Sequence, residues 1–430
     1  MLRAVLCLFA VSALFFSSCS KEAVELDVDV MVWHWMTDRQ DAFEKLAKDY
    51  FTKTGVKVIF ETYAPSDVYK NKISAAATAN LLPEIFNPMA NKKEIASYIN
   101  AGFVADITDD MNKDNWKDVF FQRALENLSF EENNEWGVKS GIYGVPIDVS
   151  SMLIYYNKDL FRQAGLDPEI TPKTWGEFVA FAKKLKANDI QPFVSGFGEN
   201  WIIGAFAQSY QWELFGKEGI LSTIDGVIPY TDARWVKIFN LFKELKDNNL
   251  LATGVVTMIN KDAERGFATG KFAMAFNGSW GVNVYNSMNP NLNYGVFYLP
   301  ILPEAQHPMR FFGGEGSAFY VNSKSPNKQK AIDFLKWFTS EEQQSFLSKA
   351  TSNIPANKNA SSDLPPILKI FAESIANTFG QLQKIEDWQV VNVLNTSLQS
   401  VIIGEKTPQK AAKDVQDEKA RQMKNKKATA

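Results

Sequence analysis

Cysteine and histidine are almost absent from this sequence. The 430 residues contain two cysteines, Cys7 and Cys19, and two histidines, His34 and His307. Zinc sites and nucleophilic triads need clusters of these residues, and the chain also lacks the Gly-x-Ser-x-Gly motif of a nucleophile elbow. The composition therefore predicts no metal site, no cofactor and no catalytic residues. Paired carboxylates stay open, because 49 acidic residues allow many pairs and nothing singles out one of them.

An excess of positive charge is also missing. The formal net charge is -3, with 46 basic and 49 acidic side chains. A nucleic-acid-binding protein needs a basic surface that displaces counterions from phosphates, so we predict no nucleic-acid partner. Five positive charges lie within residues 419–427, and we interpret this run as the solvated end of a terminal helix.

Long hydrophobic runs are confined to the N-terminus. Arg3 precedes an apolar stretch at residues 4–16, and two serines lead to Cys19. This is the pattern of a bacterial lipoprotein signal peptide over residues 1–18, after which Cys19 is lipidated and residues 19–25 form a tether. A plain secretory signal with a chance cysteine is the alternative. No later stretch reaches about 18 uninterrupted apolar residues, so we expect the anchor alone to touch the membrane.

Strand and helix patterns alternate through the first third of the chain. Apolar alternation over residues 26–33 predicts a strand, and Thr37 with Gln40 predicts a capping box that opens a helix ending at Gly55. The alternation continues with strands at 56–63 and 84–86 and helices at 66–82 and 92–101. Strands separated by helices are typical of a parallel sheet, so the fold class is predicted as α/β.

Three of these strands end in side chains suited to binding. Trp33, Tyr63 and Asn87 each lie at the carboxyl end of a predicted strand. Ligands of open α/β sheets bind at this edge, so we expect the three loops to meet at one cleft.

The pattern changes near Tyr143. A β-rich run extends to Tyr156, and a helix-dominated region follows it to Asn249. Later segments predict strands at 271–276 and 293–299 and helices at 327–349, 364–378 and 407–424. Two lobes without an obvious linker indicate that the chain crosses between them more than once.

Aromatic side chains are abundant, with 11 Trp, 13 Tyr and 32 Phe. A sugar ring presents apolar C–H faces surrounded by hydroxyls, so a sugar site combines flat aromatic rings with polar side chains. Four tryptophans lie beside such polar residues and are candidate stacking platforms, namely Trp33, Trp201, Trp280 and Trp388. A place in the core is the alternative for each, and it is the prediction for Trp175 and Trp337 on apolar helix faces.

An ordered set of short motifs resembles one known family. The motifs are Tyr143-Gly-Val-Pro146, the run 153–161, Pro172-Lys-Thr-Trp-Gly-Glu-Phe178, the run 267–274 with Asn277-Gly-Ser-Trp280, Gly313-Gly314, Ser325-Pro-Asn-Lys328 and Gly404-Glu-Lys-Thr-Pro408. Over residues 27–416 their order and spacing resemble the bacterial extracellular solute-binding proteins of family 1. These are the maltose-binding-protein-like sugar-binding lipoproteins of ABC transporters.

The resemblance implies a two-lobe periplasmic-binding-protein fold of type II, with the ligand cleft between the lobes and a hinge crossed more than once. The N-terminal lobe would comprise residues 26–145 and 303–345, and the C-terminal lobe residues 146–302 and 346–430. Carried over position by position, the ligand-binding residues would be Trp33, His34, Glu61, Tyr63, Asn87, Asp148, Ser150, Trp201, Trp280, Gly313, Gly314, Glu315 and Trp388.

The function implied by the resemblance is capture rather than catalysis. A monomeric lipoprotein, exported and anchored at the periplasmic or outer face of a membrane, would bind a sugar or oligosaccharide and deliver it to ABC permease transmembrane subunits. A solute-sensing receptor subunit and a tethered carbohydrate-active enzyme are the alternatives. Alanine in place of Trp280 is expected to abolish ligand binding with near-native stability.

The triplet Trp33-His34-Trp35 departs from the family pattern, and which of its side chains faces the ligand stays open. A continuous strand would point both tryptophans to one side, but a capping box at Thr37 would already turn the chain. We expect Trp33 or His34 to face the cleft and Trp35 to pack beneath the following helix. His34 would then hydrogen-bond a ligand hydroxyl.

Overall fold

The structure is a computed structural model that describes residues 28–64, 66–380 and 382–429. The predicted signal peptide, the lipidation site Cys19 and the tether lie outside the described residues, as do the first two residues of the predicted N-terminal lobe.

The strands range in length from two to 13 residues. In chain order they are β1 Val30–His34, β2 Val58–Thr62, β3 Ile85–Phe86, β4 Ser129–Phe130, β5 Gly141–Ile142, β6 Val145–Asn157, β7 Gln191–Val194, β8 Phe272–Gly278, β9 Tyr294–Phe297, β10 Phe311–Val321, β11 Ile354–Pro355 and β12 Thr378–Phe379.

Helices cover the sheet. They are α1 Gln40–Thr54, α2 Ser66–Ala79, α3 Lys92–Asn100, α4 Thr108–Asn112, α5 Gln122–Asn127, α6 Lys158–Gln163, α7 Trp175–Ala187, α8 Asn200–Ile224, α9 Ala233–Asp247, α10 Asn260–Ala268, α11 Gly281–Met288, α12 Lys328–Phe338, α13 Glu341–Thr351, α14 Pro366–Ser374, α15 Trp388–Ile402 and α16 Pro408–Thr429. Short 3-10 turns occupy Thr37–Arg39, Lys113–Val119, Lys358–Ser361 and Ile375–Asn377.

The main sheet has the strand order β2-β1-β3-β10-β6-β8-β7. Strand β1 runs parallel to β2 and β3, and the helices α1 and α2 form the crossovers between them. This arrangement confirms the predicted α/β class, because parallel neighbours need such crossover connections. Strand β10 is antiparallel to both β3 and β6, so it joins the first group of strands to the second.

Strands β6 and β10 form a long antiparallel ribbon through the middle of the molecule. Strand β6 is buried along nearly its whole length, and its second half, Met152–Tyr156, is a continuous apolar run rather than an alternating one. The ribbon is irregular at its centre, where the register shifts between Glu315 and Ser317. A bulge of this kind bends a strand and re-aims the side chains beside it.

The start of α1 corrects one prediction. Thr37 and Gln40 do not form a capping box, because the helix is preceded by a 3-10 turn and has no side-chain cap. The Gln40 amide oxygen is instead engaged by the side chains of the buried His34 and the partly buried Thr62. The predicted end of the helix is confirmed at Gly55, whose φ is 75° and whose N–H donates to the Phe51 carbonyl at 2.8 Å.

The C-terminal helix α16 corrects a second prediction. The ammonium group of Lys419 is buried and contacts both Glu386 carboxylate oxygens at 2.8 Å, so it is not part of a solvated basic run. The neighbouring Arg421, Lys424 and Lys426 are exposed. Within the described ranges, no helix combines the length and apolarity that a membrane span requires.

Gly313, at the start of the ribbon, provides a test of close backbone packing. Its φ is 152°, and a Cβ at this position would lie 2.2 Å from the Ser150 carbonyl oxygen. We expect Gly313→Ala to lower the unfolding free energy by about 1–3 kcal/mol, because neither backbone can yield without breaking the ribbon. Thermal unfolding measures the loss. Gly176→Ala in α7, where a Cβ meets nothing within 4 Å, is the control and should leave stability unchanged or slightly higher. Equal effects of the two changes would contradict the prediction.

Candidate functional site

A cavity of about 470 Å³ lies beside the β6–β10 ribbon. One wall is formed by the start of α3, the end of α5 and the glycine-rich part of β10. The opposite wall comes from α8 and α15, and residues 379–380 and 382–386 contribute to one side. The cavity is therefore built by elements far apart in the chain that meet only in the folded protein.

The first wall carries the ionisable groups Glu315 and Lys92. Burial, and to a lesser extent the nearby Asp148 carboxylate, raise the pKa of Glu315 to about 7 against the opposing effect of Lys92. Burial lowers the pKa of Lys92 to about 8 against the attraction of nearby carboxylates. The Lys92 ammonium donates to the carbonyl oxygens of Glu126 at 3.0 Å and of Asn127 at 3.4 Å. The Lys92 ammonium is therefore already hydrogen-bonded within the protein.

A continuous row of aromatic rings begins on the cavity wall and extends beyond it. Trp212 stacks on Phe379 with ring centroids 5.6 Å apart, and Phe379 meets Phe312 edge-on at 5.7 Å. Phe312 lies 6.5 Å from Trp201, which in turn lies 5.9 Å from Trp280. We call these five residues the aromatic row. Trp388, 70% exposed, adds a further ring to the opposite wall.

Amide side chains supply hydrogen-bonding groups next to the rings. Gln208 and Gln211 lie on α8 beside Trp212, and Asn91 and Asn127 lie on the first wall. The site therefore combines flat apolar faces with several neutral donors and acceptors. Among the described residues, no cluster of histidine, cysteine or acidic side chains has the arrangement of a metal site.

Three of the predicted site residues lie on the cavity wall. They are Gly313, Glu315 and Trp388. Gly314 lies just behind the wall, where a Cβ would be 3.1 Å from the Asn127 amide nitrogen. Ser150 pairs with Gly314 across the ribbon, and its place is set by that backbone pairing.

Trp201 and Trp280 lie at the far end of the aromatic row rather than in the cavity. Trp201 is 43% exposed, whereas Trp280 is half-buried and packs partly on the core. Each indole N–H donates to a carboxylate, Trp201 to Glu199 at 2.6 Å and Trp280 to Glu264 at 3.2 Å.

The ends of β1 and β2 form a separate cluster that does not line the cavity. The rings of Trp33 and Tyr63 meet edge-on at 5.4 Å, and the Tyr63 hydroxyl donates to Glu61 at 2.5 Å. The Lys72 ammonium lies 4.2 Å from the Trp33 ring and 4.1 Å from the Tyr63 ring, a cation–π arrangement. Trp35 is partly buried, packs on both core clusters and lies 5.3 Å from the ring of Tyr69 of α2.

His34 lies in the core, which corrects its predicted exposure to a ligand. Its side chain is fully buried in phase with Val30 and Val32, and its Nδ1 accepts the Met36 backbone N–H at 3.2 Å. Its Nε2 lies 2.8 Å from the Gln40 oxygen. Burial lowers the pKa of His34 to about 4, so the ring is neutral at physiological pH.

Asn87 and Asp148 are also buried away from the cavity. The Asn87 amide donates to the Ala318 carbonyl at 2.7 Å and accepts the Met89 N–H at 2.6 Å, so it fixes the end of β3. Asp148 forms a buried ion pair with Arg39, and the same guanidinium donates to the Ser317 hydroxyl at 3.0 Å. Both residues act as internal connections in this structure.

The α8 residues of the cavity were not predicted. Gln208, Gln211 and Trp212 follow an i, i+3, i+4 spacing, which places them on one face of the helix. Polar side chains at such positions in an otherwise apolar helix are the signal that could have indicated a cavity wall. Phe312 and Phe379 carry no comparable signal in the sequence.

Glu315 gives the cavity a pH dependence that can be measured through stability. Its folded-state pKa of about 7 lies above the ordinary value of 4.5, so its contribution to stability is complete below the ordinary pKa and is lost as pH rises through about 7. We expect Glu315→Gln to match the wild type at about pH 5 and to be more stable at about pH 8, because glutamine mimics the protonated carboxyl. Melting temperatures across this range test the prediction, and a difference that does not change with pH would contradict it.

Comparisons with known proteins identify the family. The model of the bacterial extracellular solute-binding proteins matches residues 45–369, so the chain belongs to that family. The multiple sugar-binding protein of Streptococcus mutans is 23% identical over 345 residues, which cover 76% of each chain. The sn-glycerol-3-phosphate-binding periplasmic protein of Brucella melitensis is 26% identical over 278 residues, 60% of this chain and 62% of that protein.

The fold agrees with this assignment. The structure of a chitin oligosaccharide binding protein superimposes with a TM-score of 0.74 and 24% identity, covering 91% of this chain and 98% of that chain. The predicted fold is confirmed as the two-lobe fold of maltose-binding-protein-like solute-binding proteins. The family consists of exported solute-binding proteins rather than enzymes.

Proposed function

We propose that this protein is the substrate-binding lipoprotein of an ABC importer, and that it captures a sugar or oligosaccharide between its two lobes. The observation that carries the proposal is the aromatic row, which leads from Trp280 to Phe312, Phe379 and Trp212 on the wall of a cavity that amide side chains also line. Flat rings match the C–H faces of sugars, and amides match their hydroxyls.

The walls of the cavity come from both proposed lobes. Asn91, Asn127 and Glu315 belong to residues 26–145 and 303–345, whereas Gln208 and Trp388 belong to residues 146–302 and 346–430. A ligand in the cavity would contact both lobes at once and would favour the arrangement in which they approach each other. The closed, ligand-bound form would then be recognised by the permease subunits.

The charges around the cavity favour a neutral ligand. Lys92 is held by backbone carbonyls, and Lys384 forms an ion pair with Asp225, so neither ammonium is available to a phosphate without losing existing contacts. Glu315 would repel an anion whenever it is ionised. These features support a neutral sugar over a phosphorylated solute such as the ligand named for the Brucella relative.

A thermal-shift screen tests the substrate class directly. Maltotriose and chitotriose represent neutral oligosaccharides, and sn-glycerol 3-phosphate represents the anionic alternative. We expect at least one oligosaccharide to raise the melting temperature, since a ligand at about 100 times its dissociation constant adds about 2.7 kcal/mol of stability. A shift with the phosphate and with neither sugar would overturn the proposal. The chain without residues 1–18 and with Cys19→Ser is suitable for the measurement.

A further inference from the structure

Two tryptophans of the aromatic row are held by a connected set of polar side chains. Trp201 donates its indole N–H to Glu199, and Trp280 donates its indole N–H to Glu264. The two rings are inclined by 49°, with centroids 5.9 Å apart. Neither ring is buried enough for packing alone to fix this inclination.

Asn260 joins the two carboxylates. Its backbone N–H donates to Glu199 at 2.7 Å, and its side-chain amide donates to Glu264 at 2.9 Å. An unbroken path of hydrogen bonds therefore runs from the Trp201 indole through Glu199, Asn260 and Glu264 to the Trp280 indole. Charged acceptors make the strong hydrogen bonds in such a path.

Close backbone contacts hold both ends of this path. At Gly196 a Cβ would lie 2.7 Å from the Asn260 Cα, so the loop before α8 lies directly on the start of α10. At Gly278 a Cβ would lie 2.0 Å from the Trp280 ring, so the indole lies flat on the β8 backbone. The buried Asn277 amide also donates to Glu264, at 3.1 Å.

We propose that Glu199, Asn260 and Glu264 are positioning residues that set the distance and inclination of the Trp201–Trp280 pair, and so select ligands with two consecutive sugar rings. The selection of two sugar rings rests on the proposed sugar-binding function. The positioning of the two indoles does not depend on it. The two inclined indole rings, both linked to Asn260, would contact successive rings of an oligosaccharide. A monosaccharide could stack on only one of them.

Circular dichroism of the ligand-free protein tests the geometry without any sugar. Two indoles this close should couple. The signal of the pair is the wild-type spectrum minus the spectra of Trp201→Phe and Trp280→Phe plus the spectrum of the double variant, and the same cycle is repeated in each glutamate variant. We expect Glu199→Ala and Glu264→Ala to reduce this signal by at least half, and Glu199→Gln and Glu264→Gln to retain it because the amide oxygen still accepts the indole N–H. Trp337→Phe, which alters an indole packed on Tyr50 far from the pair, is the control.

The outcomes separate this inference from the proposed function. An unchanged pair signal in both alanine variants overturns the inference, as does the absence of any pair signal in the wild type. If Glu264→Ala does not fold, Glu199→Ala decides, because Glu199 is only partly buried. Maltotriose affinity reduced about tenfold in the alanine variants, with glucose affinity little changed, supports the selection of two rings. If the alanine variants lose the pair signal but the wild type binds no sugar, the positioning role is supported and the proposed sugar-binding function is contradicted.

Discussion

Replacement of Asp148 by alanine is expected to lower the unfolding free energy by about 3–5 kcal/mol. The Asp148 carboxylate and the Arg39 guanidinium form an ion pair in which the two side chains are only 6% and 12% exposed. Removal of the carboxylate leaves the largely buried guanidinium with only the exposed Asp38 carboxylate, 3.7 Å away, as a counterion. Arg39 also donates to Ser317 of β10, so the loss would loosen the junction of α1 with both strands of the ribbon.

Urea unfolding measures this effect, and two variants make it specific. Asp49→Ala removes an exposed ion pair with Lys45 and should change stability by less than about 1 kcal/mol. The double change Arg39→Met with Asp148→Ala should recover a large part of the loss, because no uncompensated charge remains. A double variant as unstable as Asp148→Ala would contradict this explanation.

Replacement of Trp280 by alanine is expected to weaken oligosaccharide binding at least about tenfold, since tryptophans are the residues that most often dominate binding energies. The sequence alone predicts near-native stability for this change, but the structure leads to a different expectation. Because the ring is half-buried and lies flat on Gly278, we expect a stability loss of about 2 kcal/mol, roughly half that of a fully buried tryptophan.

Calorimetric titration with the oligosaccharide identified by thermal shift measures the affinity. Trp337→Ala is a matched control, because Trp337 is also partly buried among aromatic rings but lies away from the aromatic row. The two variants should lose similar stability, and only Trp280→Ala should lose affinity. Unchanged affinity in Trp280→Ala would assign the residue to the core.

Much of the fold could be predicted from periodicity. The end of α1 at Gly55, the strand β2 and the buried strand β6 all follow from local pattern and turn chemistry. The capping box failed because the Gln40 amide oxygen is engaged by the buried His34 and the partly buried Thr62 rather than by the backbone. A local rule cannot register a competing contact that only the tertiary structure supplies.

The site was less predictable, and the reasons lie in particular residues. Burial of His34 follows from its phase with Val30 and Val32, which the expected turn at Thr37 obscured. Glu315 was a candidate because it follows the Gly313-Gly314 motif, and Trp388 because polar residues precede it, but Phe379 belongs to a two-residue strand with no motif. Its place opposite Trp212 depends on how β12 pairs with β10, a long-range contact that neither residue encodes alone.

The register shift in the β6–β10 ribbon connects the cavity wall to the curvature of the ribbon. Glu315, on the wall of the cavity, lies at the irregular step where the ribbon can change its curvature with the least disturbance of the ladder. A solute that contacts Glu315 better at one curvature than at another shifts the population of curvatures by that difference in binding energy. Solute binding therefore changes the curvature of the ribbon, and the curvature in turn changes the affinity for the solute. A substitution at the bulge that alters the curvature should change this affinity even if the substituted residue does not contact the solute.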